Sequence, residues 1–108
     1  TFAKQASLPL QYVFADHCFL DIFIVDEETR SIVYRVWLTV LIDAFSRCII
    51  GMALLEEEPC IESIQSGIKH AIWTKENWLK EIGLEFPQGA GWECYGIPHT
   101  LSLVVCQE

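Results

Sequence analysis

The sequence predicts a mixed α/β fold with the element order β-β-β-α-(α)-β. Three consecutive runs of β-branched and aromatic residues are separated by short polar turns, which favours an antiparallel meander. The hydrophobic period then changes to that of an amphipathic helix at Ile61. The chain has 108 residues, of which 52% are hydrophobic, so it suits one modest domain and is too apolar for a disordered segment.

The first predicted strand spans Tyr12 to Val25, and Asp16 and His17 interrupt its apolar character. A polar turn follows at residues 26–30. The second predicted strand then spans Ser31 to Ala44. Two strands joined by a turn this short pair as an antiparallel hairpin.

The third predicted strand spans Cys48 to Leu55, and Gly51 within it indicates a bulge or a point of close approach. The turn before this strand contains Asp43, Ser46 and Arg47. Aspartate and serine side chains bond to nearby backbone groups in turns. We therefore interpret these three residues as a turn-stabilising set and not as a catalytic one.

The helical part of the chain begins where apolar residues recur at steps of three and four, which predicts a helix from Ile61 to Ile72. A second short helix is predicted from Thr74, a suitable N-cap, to Gly83, a suitable C′ residue. A final strand is predicted from Leu101 to Cys106, and it is apolar enough to be buried on both faces.

The composition narrows the classes of function. The formal net charge is −8, which argues against a self-sufficient nucleic-acid binder, because phosphates are contacted mainly by lysine and arginine. The five cysteines are odd in number and form no Cys-x-x-Cys pair, which argues against a disulfide framework and a zinc site. They are best interpreted as small apolar side chains in a reducing cytoplasm.

No targeting or membrane segment is evident in the sequence. The N-terminal residues lack the charge and apolar core of a signal peptide. The longest apolar stretches, such as Val36 to Ala44, are interrupted by polar residues and fall short of the ~18 residues of a membrane helix. We therefore expect a cytoplasmic domain without membrane association.

Asp16 is the strongest candidate for chemistry. A carboxylate in an apolar strand is costly unless it is paired, hydrogen-bonded or bound to a metal. Strand carboxylates that converge on Mg²⁺ or Mn²⁺ recur in phosphoryl-transfer enzymes. Considered by itself, however, Asp16 is better explained as a residue on the solvent face of a half-buried strand. The tryptophans are better explained by packing than by base stacking, because basic residues do not accompany them.

Four segments carry a resemblance to a known family. Residues 14–27 (FADHCFLDIFIVDE) resemble the first strand of the integrase/transposase catalytic core and are most similar to the Mu-type bacterial transposases. Residues 36–51 (VWLTVLIDAFSRCIIG) resemble the motif that follows it. Residues 74–79 (TKENWL) and 95–98 (YGIP) resemble later motifs, so that the resemblance covers nearly the whole chain.

This resemblance implies a ribonuclease H-like fold with a mixed sheet. It also implies DNA transposition or integration by metal-dependent phosphoryl transfer, in which an Asp-Asp-Glu triad holds two Mg²⁺ or Mn²⁺ ions. Asp16 falls on the first aspartate of that triad and is the implied catalytic and metal-binding residue. DNA is the implied partner, and a homo-oligomer is the implied assembly.

The resemblance is incomplete at the other two triad positions. Val104 occupies the position of the second aspartate, and the third carboxylate would fall beyond Glu108. One aspartate cannot hold two metal ions. We therefore expect residues 1–108 to form the N-terminal two-thirds of an integrase-type core whose C-terminal part is absent, with weak or absent metal binding and no activity of its own. The alternatives are a non-catalytic oligomerisation or assembly module derived from a transposase, and an unrelated small α/β domain.

Overall fold

A computed structural model describes residues 6–103 and contains the six elements in the predicted order. The strands and helices are β1 (Tyr12–Val25), β2 (Ile32–Asp43), β3 (Ile49–Leu55), α1 (Ile61–Ile72), α2 (Lys75–Glu81) and β4 (Thr100–Leu103). The predicted limits of β1 and α1 are confirmed. β2 is one residue shorter than predicted at each end, and β3 begins one residue later than predicted.

The four strands form one mixed sheet in the order β3-β2-β1-β4. β1 pairs antiparallel with β2, and β2 pairs antiparallel with β3, which confirms the predicted meander. β4 is parallel to β1 and lies on its other side, with Tyr12 opposite Thr100 and Ala15 opposite Leu103. A parallel neighbour needs a long crossover, and the two helices lie within it.

α1 packs closely on the central strands because two glycines meet at the interface. A Cβ atom on Gly51 would lie 2.6 Å from the carbonyl oxygen of Gly67 and 2.8 Å from the Cβ of Ala71. A Cβ on Gly67 would lie 2.7 Å from Cδ1 of Leu41. The β2–β3 register also shifts between Leu41 and Ile42. Gly51 is therefore both a point of close approach and the neighbour of a bulge, as its sequence context predicts.

The hydrophobic core is small and lies between α1 and the sheet. It consists of Val13, Leu41, Ile50 and Ala71. Partly buried side chains pack around it, namely Leu10, Ile68, Cys94 and Leu101. None of the helices in residues 6–103 is both long and apolar enough to cross a membrane.

The two ends of α2 agree with the capping residues predicted for it. Oγ1 of Thr74 accepts a hydrogen bond of 3.2 Å from the backbone N–H of Asn77, which is the N-cap geometry. Gly83 has φ +79° and donates its N–H to the carbonyl oxygen of Lys80 at 3.1 Å. That left-handed conformation ends the helix at little steric cost because glycine has no Cβ.

The prediction that the last strand is buried on both faces is wrong for its described part. None of the four residues of β4 is buried, and Leu103 is 47% exposed. The physical reason is position, because β4 is an edge strand whose one paired neighbour in residues 6–103 is β1. Residues 104–106 of the predicted strand lie outside the described residues.

Candidate functional site

Asp16 lies on β1 opposite Val40 of β2. Its neighbours Val13 and Ala15 are buried, whereas Asp16 is exposed. Because strand side chains alternate between faces, Asp16 points away from the face that α1 covers. Its Oδ1 accepts a hydrogen bond of 2.8 Å from the backbone N–H of His17. The carboxylate is thus on the solvent side of the strand, and the burial that would force it into a metal site is not observed.

The last described residue of β4, Leu103, lies beside the residue that precedes Asp16. The last described pair of the β1–β4 ladder joins Ala15, the residue before Asp16, to Leu103. Val104, which occupies the position of the second aspartate, lies outside the described residues. Asp16 therefore lies within β1, one residue beyond the last described pair that β1 makes with β4. Its role as a metal ligand stays a prediction.

The other acidic residues near β1 do not gather around Asp16. Asp21 lies 3.8 Å from the guanidinium of Arg35. Asp26 accepts backbone hydrogen bonds of 2.9 Å within its own turn. Within residues 6–103, no three histidine, cysteine, aspartate or glutamate side chains are placed to share a metal ion. The described residues therefore do not fit a two-metal site.

Asp43 is buried and organises the turn between β2 and β3. Its Oδ2 accepts hydrogen bonds from the Oγ and the N–H of Ser46 at 2.6 and 3.1 Å, and its Oδ1 accepts one of 3.0 Å from the N–H of Leu10. Burial acts to raise the pKa of Asp43, but these donors stabilise the ionised form and hold the pKa below its ordinary value. Arg47 closes the turn with φ +66° and an N–H donated to the Asp43 carbonyl oxygen. This geometry supports a structural role for the set.

Lys75 is a buried cation that the sequence analysis did not single out. Its Nζ donates hydrogen bonds to three carbonyl oxygens, those of Ile50 at 2.6 Å, His70 at 3.1 Å and Trp73 at 3.4 Å. Burial lowers its pKa. A sequence signal for this arrangement exists, because a lysine in the first turn of a helix is unfavourable unless something else stabilises it. Lys75 ties β3 to the junction between the two helices.

His70 belongs to the same cluster and lies against two indole rings. Its ring centroid is 4.4 Å from that of Trp78, at an interplanar angle of 83°, and 5.2 Å from that of Trp92. Nδ1 accepts a hydrogen bond of 3.0 Å from the N–H of Met52, so the neutral ring carries its proton on Nε2. Nε2 is buried and has no hydrogen-bond partner in the described structure. The imidazole packs against the rings of Trp78 and Trp92 instead. Burial first, and then the charge of Lys75, lower the pKa of His70 to about 4.

Three of the four tryptophans, Trp37, Trp78 and Trp92, make packing contacts with other aromatic rings. Trp78 and Trp92 surround His70, and Nε1 of Trp92 donates a hydrogen bond of 2.8 Å to the carbonyl oxygen of Ile49. Trp37 stacks on Phe19 with ring centroids 4.7 Å apart. These contacts agree with the predicted packing role.

A pocket of about 470 Å³ lies between β3 and the two helices, with Trp73 and Trp78 among its walls. Lys69 and Glu81 are the charged residues of its lining, and Asp16 does not belong to it. The pocket and the candidate metal-binding residue are therefore separate features of the molecule.

Comparison with known proteins gives the family context. A family model described as the TnsB C-terminal domain matches residues 14–103. The transposase for transposon Tn552 from Staphylococcus aureus is 34% identical over 74 residues, which cover 68% of this chain and 15% of that protein. The chain thus spans a small part of the length of this relative. The family model is described as a C-terminal domain, so the finer assignment to an integrase catalytic core stays a prediction.

Proposed function

This chain belongs to the TnsB C-terminal domain family of transposase-derived domains, and from that premise we propose that it descends from the catalytic core of a DNA transposase or integrase. The observation that carries the proposal is the position of Asp16. It lies in the first of two long motifs, on β1, one residue beyond the pair between Ala15 and Leu103. The second motif lies on β2, which pairs with β1 directly.

The sheet supports the ribonuclease H-like part of the proposal. An antiparallel meander with a parallel fourth strand beside β1 is compatible with the first four strands of such a sheet. A carboxylate introduced just after Leu103 would lie close to Asp16 in such a sheet, because Leu103 pairs with Ala15. The two longest motif segments, residues 14–27 and 36–51, fall on the two central strands of this arrangement.

The proposal assigns no catalysis to this chain alone. In the implied chemistry, Mg²⁺ or Mn²⁺ would supply Lewis-acid activation, and Asp16 would contribute one ligand. One exposed carboxylate is too few for two divalent ions, which prefer several oxygen ligands each. We therefore propose weak or absent metal binding for this sequence, and a role in DNA processing only together with other domains that supply carboxylates and basic residues. That role agrees with the cytoplasmic location predicted from the sequence.

Restoring the second aspartate tests this proposal. Val104→Asp should create saturable Mn²⁺ binding at least about tenfold tighter than that of the unsubstituted chain, because a second carboxylate would join Asp16. Mn²⁺ titration followed by electron paramagnetic resonance measures the free ion directly. Asp16→Asn in the same chain should remove the gain.

Val105→Asp is the matched control, because it adds the same charge one residue later. Equal Mn²⁺ binding by Val104→Asp and Val105→Asp would contradict a site shared with Asp16. No gain from Val104→Asp in a folded protein, verified by circular dichroism, would also contradict it.

A second candidate function is the non-catalytic assembly module. Large apolar side chains are exposed along the β1–β2 hairpin, including Ile22 at 55% and Ile32 at 66%. Exposed apolar patches of this kind mark interaction surfaces. Sedimentation velocity tests for self-assembly: a homo-oligomer supports this candidate, and a monomer at all concentrations contradicts a homo-oligomeric module.

A further inference from the structure

Two thiols that are far apart in the chain lie together near Lys75. Cys48 ends the turn before β3, and Cys94 lies in the connection between α2 and β4. The Cys48 and Cys94 side chains are hydrogen-bonded to each other, and both residues are partly buried. The four cysteines of the described residues are free thiols, and Cys106 lies outside those residues. The fold therefore brings two reduced sulfur atoms into contact.

The segment that carries Cys94 is held in place on both sides of this residue. Two residues before it, Nε1 of Trp92 donates a hydrogen bond of 2.8 Å to the carbonyl oxygen of Ile49, the residue that follows Cys48. Two residues after it, the N–H of Gly96 donates one of 2.8 Å to a carbonyl oxygen of α1. The side chain of Cys94 also packs against the hydrophobic core. The backbone and the core thus hold Cys94 beside the start of β3.

The other thiol is positioned by the turn that Asp43 organises. The carbonyl oxygen of Cys48 accepts a hydrogen bond of 2.9 Å from the N–H of Asp43, and the N–H of Cys48 donates one of 3.3 Å to Oγ of Ser46. Both polar groups of the Cys48 backbone are therefore engaged. A disulfide bond between Cys48 and Cys94 needs the approach of two neighbouring sulfur atoms, and it needs no new pairing of strands or helices.

The surroundings of the two thiols decide which one reacts first. Burial raises the pKa of Cys94, and its hydrogen bond with Cys48 raises that pKa further. The charge of Lys75 acts to lower the pKa of Cys94, and that of Asp43 acts to raise it. The thiolate is the nucleophile in thiol–disulfide exchange. Cys94 is therefore the poorer first nucleophile, but it is well placed to attack a modified Cys48 sulfur.

We propose that Cys48 and Cys94 are a reversible redox pair, which closes to a stabilising disulfide bond when a low-molecular-weight disulfide such as oxidised glutathione is present. The Cys48 thiolate attacks one sulfur of glutathione disulfide and releases one glutathione thiolate. The Cys94 thiolate then attacks the Cys48 sulfur and releases the second. The two protein thiols lose two electrons and two protons, and one glutathione disulfide becomes two glutathione thiols.

A disulfide bond here would join the α2–β4 connection covalently to the start of β3. Residues 82–99 of this connection contain no helix or strand and lead directly into β4. The bond would close the long loop between Cys48 and Cys94, which restricts the unfolded chain and so stabilises the folded one. The proposal goes beyond the function proposed above and does not depend on a metal site.

Mapping of the disulfide bonds tests the pairing. The full chain is incubated with oxidised glutathione, its remaining thiols are alkylated, and the unreduced digest is analysed by mass spectrometry. We expect Cys48–Cys94 to be the main protein disulfide, and dithiothreitol should remove it. Contact and exposure predict opposite results here, because Cys18 and Cys60 are the more exposed thiols.

Thermal melts of oxidised and reduced protein test the consequence. Oxidation should raise the melting temperature by at least about 5 °C. Cys94→Ser should lose this rise and retain glutathione on Cys48, because the second nucleophile is absent, and Cys48→Ser should lose the rise as well. Cys18→Ser is the matched control and should keep it. Each variant is compared with its own reduced form, so that the effect of the substitution on folding cancels.

The proposal is overturned if Cys48 and Cys94 stay reduced while glutathione accumulates on Cys18 and Cys60, or if either residue of the pair forms its main disulfide with a different cysteine. A Cys48–Cys94 disulfide that leaves the melting temperature unchanged also overturns it, and so does a rise that Cys18→Ser abolishes. None of these measurements involves Mn²⁺ or Val104, so failure of one proposal leaves the other to its own test.

Discussion

Lys75 shows what a single buried charge can do in a small domain. Its ammonium has no carboxylate among its three acceptors and is stabilised by the carbonyl oxygens of Ile50, His70 and Trp73. Ile50 lies in β3, whereas His70 and Trp73 lie at the C-terminal end of α1. One side chain therefore joins β3 to the end of α1 through backbone hydrogen bonds, which a purely apolar residue could not do.

Lys75→Met should lower the free energy of unfolding by about 2 kcal/mol, because the substitution leaves buried carbonyl oxygens without a donor. Chemical denaturation measures the change. Lys80→Met is the control, since Lys80 is an exposed lysine on the same helix, and its effect should be within about 0.5 kcal/mol. Equal effects of the two variants would show that the three carbonyl contacts do not contribute to stability.

His70 makes stability dependent on pH through its neutral, buried ring. Its pKa is lowered from 6.5 to about 4 by burial and by the charge of Lys75. At pH values between 4 and 6.5 the unfolded chain binds more protons than the folded one. The contribution of the neutral His70 ring to the free energy of unfolding is therefore complete above pH 6.5 and is lost as the pH falls through the folded pKa. A difference of this size corresponds to about 3 kcal/mol.

His70→Gln should therefore flatten the dependence of the melting temperature on pH between about 4 and 6.5, because the substituted side chain does not titrate. Thermal melts at a series of pH values measure this. The exposed His99 supplies the comparison, as His99→Gln should keep the original slope. An unchanged slope in His70→Gln would assign the acid sensitivity to other groups.

The packing of α1 on β3 is limited by its two glycines. Gly51→Ala should lower the free energy of unfolding by about 2 kcal/mol or more, because the new methyl group would meet the backbone of Gly67 at 2.6 Å and a backbone atom cannot rotate away. Gly91→Ala is the matched control, since a Cβ there has no heavy atom within 4 Å. Similar melting temperatures for the two variants would mean that α1 can shift at little cost.

Most elements could be predicted from the sequence because their signals are local. The β-branched runs, the three- and four-residue period from Ile61 to Ile72, and the caps Thr74 and Gly83 depend on near neighbours in the chain. The exposure of β4 could not be predicted in this way, since it depends on which edge of the sheet the strand joins. The contact of Asp43 with Leu10 and the burial of Lys75 are likewise tertiary, as their partners are distant in sequence.

At the scale of the whole molecule, the sheet separates three surfaces. One face of the central strands carries α1 and the core, Asp16 lies on the opposite face, and the β1–β2 hairpin continues past the described pairs with β3 and β4. The principal extents of 50 × 43 × 21 Å show that the molecule is flattened and not spherical.

The pairing of β4 with β1 has a consequence for how the chain folds. Tyr12 and Thr100 are neighbours in the sheet although most of the described chain separates them in sequence. Closing so long a loop costs conformational entropy before any contact is gained, whereas the hairpins of the meander close early. The β1–β4 edge of the sheet should therefore be the last part to assemble, and its amides should become protected against hydrogen exchange later than those of the two hairpins when the chain refolds.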